Sequence, residues 1–90
     1  MPRTHIVVTG RVQGVGFRYH AKLLADSYRL TGWVRNLSTG AVELELQGPI
    51  ETMEAYVKHL GKGSMFIRID TITEEDIPEI WESSFRIDHD

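Results

Sequence analysis

Between Val42 and Gln47 the chain alternates without a break, with Val42, Leu44 and Leu46 apolar against Glu43, Glu45 and Gln47. A side-chain period of two belongs to a strand with one face buried and the other in water. Such a strand implies an antiparallel sheet that is covered on one side only. The remaining residues must therefore supply more strands for that sheet and an amphipathic layer to lie against its apolar face.

They do so in a readable order. His5 to Thr9, centred on Ile6-Val7-Val8, reads as a first strand, and the glycines of Gly10 to Gly16 break it. From Phe17 to about Leu30, Phe17, Ala21, Leu24 and Tyr28 recur at helical spacing, with Lys22, Asp26 and Arg29 able to face outward. Gly32 to Leu37 is a second strand, Ser38-Thr39-Gly40 a turn, and Ala41 to Gln47 the third strand. Gly48-Pro49 opens a second helix with Ile50, Met53, Val57 and Leu60 on its inner face, stopped by Gly61 and Gly63. Met65 to Ile72 is a fourth strand, Glu74-Glu75-Asp76 an acidic loop, and Ser84 to Ile87 a short terminal strand.

The order βαββαβ, plus that last strand, is α+β. Two one-sided helices and a half-wet sheet pack as two layers, helices on one face of an antiparallel sheet, in the ferredoxin-like arrangement. Ninety residues make one domain, 1–90. There is no cysteine, which excludes a thiolate nucleophile and Cys-ligated metal and fits a reducing compartment. Apolar runs of three residues, such as Leu23-Leu24-Ala25, are too short for a signal peptide or a membrane span. A cytoplasmic protein without a membrane partner is the expectation.

The net charge of −3 argues against a general nucleic-acid binder. Its distribution is more informative. Met1 to Ala25 carries Arg3, Arg11, Arg18 and Lys22 and no acid, while all 13 acidic residues lie beyond. A local positive field in an acidic chain suggests a small anionic ligand near the N-terminal segment; a solvated charge cluster is the plainer alternative.

Gly10-Arg11-Val12-Gln13-Gly14-Val15-Gly16-Phe17-Arg18 joins a strand to a helix. Amides in a glycine-rich turn of this kind can converge on an anion, assisted by the positive end of the helix. Arg18, in the first helical turn, can reach the same anion with a two-pronged guanidinium. A tight turn with a solvent-facing arginine is the competing reading at this point. A Walker loop is excluded for want of Gly-Lys-Ser/Thr, and a dinucleotide fingerprint because Tyr19 stands where its third glycine belongs. Asn36 is a poor strand former at the end of the second strand, so it either begins the turn or is there for chemistry. In this topology the first two strands run the same way, so Asn36 and the glycine loop meet at one sheet edge.

These two stretches carry a resemblance. Gly10 to Arg18 resembles the first acylphosphatase signature, and Gly32-Trp33-Val34-Arg35-Asn36 with Gly40-Ala41-Val42 resembles the second. The likeness continues through Gly48-Pro49 and Phe85-Arg86-Ile87. The resemblance implies a metal-free, cofactor-free hydrolase of acyl phosphates. By it, Arg18 and Asn36 are catalytic, and the backbone amides of Gln13, Gly14, Val15, Gly16, Phe17 and Arg18 bind phosphate. An Asn-positioned water would then attack in line. Acyl phosphates are the implied partners, phosphate or sulfate product-like ligands, and the chain a monomer. One stretch departs. Relatives often have a Gly-Pro-rich segment with an alanine where this chain has Gly61-Lys62-Gly63-Ser64-Met65, a change that bears on local stability or substrate access.

Other residues have plainer roles. His5, His20, His59 and His89 form no close-spaced ligand pair and read as surface or packing residues. His20 lies about 200° around the helix from Arg18. Trp33, Trp81 and Phe85 read as core or edge packing. Two rival readings are a non-catalytic anion-binding module and an RNA-recognition domain, which would need aromatics exposed on the two central strands.

Overall fold

The computed structural model describes residues 1–88; His89 lies outside them. Strands β1 (Arg3–Arg11), β2 (Thr31–Asn36), β3 (Val42–Gln47), β4 (Arg68–Ile77) and β5 (Phe85–Ile87) form one sheet in the order β4-β1-β3-β2-β5. Helices α1 (Phe17–Ser27) and α2 (Ile50–Leu60) cover one face of it. β1 and β2 both pair antiparallel with β3, so they run in the same direction with β3 between them. β5 pairs with β2 in parallel, which makes the sheet mixed.

The alternation in β3 works as its period requires. Val42, Leu44 and Leu46 are fully buried, facing the helices beside Ile6 and Val8 of β1 and Val34 of β2. Helix α1 adds Phe17, Ala21, Leu24 and Ala25 to this core, and α2 adds Met53, Tyr56 and Leu60. On α2, Ile50 is not on the inner face: it is 58% exposed. The residue missed is Tyr56, buried with its hydroxyl donating to the Ala21 carbonyl at 2.9 Å. That bond satisfies the polar tip a buried tyrosine otherwise leaves stranded.

Two further expectations are corrected. Glu74-Glu75-Asp76 is not a loop but part of β4, opposite Ile6, His5 and Thr4. β4 is an edge strand with largely exposed residues, so it carries charge without cost and discourages pairing with another sheet. Trp81 is not packed: it is 89% exposed. It rides on the segment leading to β5, anchored by its neighbours across the open face of the sheet. Arg3, although 2% exposed, donates to Glu45 and Glu82, each at 2.8 Å, and Gln47 exchanges hydrogen bonds with the Ile80 backbone. Phe85 is buried, and Trp33 is half-buried beneath the Arg35 guanidinium.

The atypical segment after α2 closes as a tight turn. Gly63 has φ 64° and the Ser64 amide donates to the Ile67 carbonyl, leaving Met65 and Phe66 exposed. A Cβ at Gly63 would stand 2.3 Å from that same carbonyl, so glycine is required there.

His20 sits half-buried beside the Phe17 ring, with Nε2 buried and meeting no hydrogen-bond partner among the described residues. Burial, and then the charge of His59, push its pKa below the ordinary value. Above about pH 6.5 both folded and unfolded chains hold it neutral. As the pH falls through that value the unfolded chain takes up the proton first, so stability is lost, and the loss levels off below the folded pKa. Denaturant midpoints measured from pH 7.5 down to 5 are expected to fall more steeply for the wild type than for His20→Leu; parallel profiles would contradict this. Among the described residues, no helix is long and apolar enough to cross a membrane.

Candidate active site

The site forms where the C-terminal ends of β1 and β2 meet the N-terminus of α1. Near the end of β1 its pairing with β4 shifts register between Thr9 and Gly10, and Gly10 (φ 132°) lies so close to β4 that a Cβ would stand 2.1 Å from the Arg68 carbonyl. The chain then turns through Gly14 (φ 75°) and Gly16 (φ 76°), both left-handed, a conformation other residues adopt at a cost. Gly16 is the N-cap of α1. Among the described residues no side chain caps this helix end, and its first turn contains no acidic residue, so its partial positive charge is not offset there.

A cavity of about 230 Å³ opens here, lined by Val12, Gly14, Gly16, Phe17, Arg18, Tyr19, Asn36 and Ile87. Arg18 and Asn36, distant in sequence, thus share one wall. Asn36 lies opposite Val42 and on the same side of the sheet as Val34, the face that carries the helices. Its Oδ1 is buried and meets no hydrogen-bond donor among the described residues. An acceptor in the wall of an open cavity is available to a water or ligand that enters it.

Of the six residues expected to form the amide cradle, Gly14, Gly16, Phe17 and Arg18 line the cavity. Val15 packs against the core, and Gln13 turns its side chain towards the β2–β3 hairpin. Three lining residues, Val12, Tyr19 and Ile87, carried no expectation. Val12 and Phe17 form a buried apolar floor, whereas Tyr19, directly after Arg18, is 62% exposed at the mouth. Ile87 arrives from β5, and only its place in the closing Phe85-Arg86-Ile87 stretch could have marked it.

The opposite face of the sheet has a different character. His5 Nε2 and Arg35 Nε lie 2.7 and 2.6 Å from the two Glu43 carboxylate oxygens. Burial alone would raise the Glu43 pKa, but these two partners outweigh it and hold the carboxyl below its ordinary range. On that face β1 and β3 present Arg3, His5, Val7 and Thr9 with Glu43, Glu45 and Gln47; the His5 imidazole is engaged by Glu43, and Trp33 of β2, opposite Glu45, lies half-buried under the Arg35 guanidinium.

Fold and cavity together define a ferredoxin-like domain whose cationic, amide-rich pocket sits at a helix N-terminus. Comparison with known proteins makes this specific. The family model Acylphosphatase matches residues 4–87, and the chain belongs to that family. It is 42% identical over 80 residues to the acylphosphatase of Bacillus licheniformis, covering 89% of each chain. It is 41% identical over 88 residues to that of Clostridium acetobutylicum, covering 97% of each. The crystal structure of acylphosphatase from Bacillus subtilis superposes with a TM-score of 0.92 at 36% identity, over 97% of this chain and 98% of that one.

Proposed function

We propose that this acylphosphatase works through Arg18 and Asn36: the guanidinium and the amides around Gly14 to Arg18 hold the phosphoryl group, and Asn36 holds the attacking water. A carboxyl phosphate already has a good leaving group, a carboxylate whose conjugate acid has a pKa near ~4. No strong acid is needed to release it. What remains is to neutralise phosphoryl charge and to align a nucleophile, since phosphoryl transfer depends mainly on positioning and electrostatics. Arg18 and the helix terminus neutralise. Asn36 Oδ1 accepts a hydrogen bond from water and aims the water lone pair at phosphorus. As the P–O bond to the acyl oxygen breaks, the carboxylate leaves with the electron pair. The water proton passes to phosphate or solvent, because a carboxamide is no base at neutral pH.

The observation that carries this reading is the orphaned Asn36 Oδ1 in a cavity that Arg18 also lines. The same proposal has residues 1–90 act as one cytoplasmic, monomeric domain that uses no metal. The test is hydrolysis of benzoyl phosphate in EDTA, followed beside p-nitrophenyl phosphate, an ordinary ester. Rapid turnover of the first and none of the second is expected. Phosphate release no faster than in buffer would leave an anion-binding module, and turnover lost on chelation would remove the metal-free mechanism.

A further inference from the structure

The strand that leads into the glycine loop and the strand that ends in Asn36 are not neighbours. β3 lies between β1 and β2, so at a spacing of about 4.8 Å per strand the two are roughly 10 Å apart. Water held by Asn36 must nevertheless meet phosphorus held by the loop within a few tenths of an ångström. A direct tie exists. The half-buried Gln13 side chain crosses this gap, its Nε2 donating to the Leu37 carbonyl at 2.7 Å and to the Ala41 carbonyl at 2.8 Å. Both donors of one carboxamide are thereby used. The two acceptors are the base of the hairpin itself, since the Leu37 amide donates to the Ala41 carbonyl and the Gly40 amide to the Leu37 carbonyl. Leu37 directly follows Asn36, and Gly14, which turns the loop into the cavity, directly follows Gln13.

We infer that the Gln13 side chain is a positioning residue that sets the distance between the phosphate loop and Asn36, acting on turnover through Asn36 rather than by holding phosphate. Glutamine is the residue this role requires. Asparagine is one methylene too short, and glutamate would present a carboxylate to two carbonyl oxygens. Each carbonyl keeps one main-chain partner when the side chain is lost, so the hairpin survives while its registration on the loop loosens.

The inference rests on the Arg18–Asn36 reading, and the experiment separates the two. Steady-state hydrolysis of benzoyl phosphate and competitive inhibition by inorganic phosphate are measured for wild type, Gln13→Met, Asn36→Ala and the double variant. Gln13→Met keeps the length of the side chain and removes both donors. Its kcat is expected to fall between ~10- and ~10²-fold, the scale of an ångström-level misplacement, with the inhibition constant for phosphate unchanged. In the Asn36→Ala background the same change is expected to cost almost nothing, because the group it positions is gone. Gln13→Asn, which retains the amide, is expected to lose kcat likewise and serves if the methionine variant does not fold. A full further loss in the Asn36→Ala background, or a phosphate constant that rises in step with the fall in kcat, would overturn the inference by making Gln13 a support of the loop alone. A silent wild type would instead remove the acyl-phosphate reading, and an active wild type with indifferent Gln13 variants would remove this inference only.

Discussion

Arg18→Ala is expected to remove phosphate binding and turnover together, lowering kcat/KM for benzoyl phosphate by roughly 10³-fold or more, the scale on which an arginine stabilises a transferring phosphoryl group. Two features of the site make the effect so large. The positive end of α1 carries only partial charge, and the amides of the glycine turn are neutral, so the guanidinium is the full cation among the cavity-lining residues. It also presents paired donors in a plane that matches two phosphoryl oxygens. Arg18→Lys keeps the charge and loses the fork, and a severe defect is expected there as well. Inhibition by inorganic phosphate is the deciding measurement. If Arg18→Ala, shown to be folded by circular dichroism, is still inhibited at the wild-type concentration, the backbone cradle holds the anion unaided.

Asn36→Ala is expected to separate the two functions that Arg18→Ala loses together. Phosphate inhibition should stay near wild type while kcat falls ~10²–10³-fold, the effect of removing one preorganised polar group. The folded state provides a second readout. Asn36 Oδ1 accepts no hydrogen bond from the described residues, so truncating it removes no hydrogen bond of the fold. The melting temperature of Asn36→Ala is therefore expected not to fall, in contrast to its activity. A variant that melts early and turns over slowly would make Asn36 a structural residue at the head of the hairpin. Wild-type turnover in the variant would remove its role altogether.

Local physics left both residues open in the sequence, since a solvent-facing arginine and a turn asparagine accounted for them as well; the acylphosphatase resemblance singled them out, and the fold brings them to one cavity. The sheet was legible through β3, whose central position imposes the alternation on every residue. β4 was not. An edge strand has one partner and little burial, so nothing enforces a period of two, and Glu74 to Asp76 read as loop although they pair in register with β1. Trp81 misled for the opposite reason. Its bulk suggested burial, whereas its neighbours Ile80 and Glu82 hold the segment down. The Gln13 tie left no trace at all, because its acceptors are main-chain carbonyls, which every residue possesses.

The parallel return of β5 beside β2 makes the completeness of the cavity a late event in the life of the chain. Val12 to Arg18 and Asn36 leave the ribosome well before Ile87, yet Ile87 closes the wall that they begin. Until β5 has threaded home, a nascent or partly unfolded molecule owns every polar group of the site and still lacks its enclosure. The apolar side of the cavity thus belongs in part to the strand synthesised last.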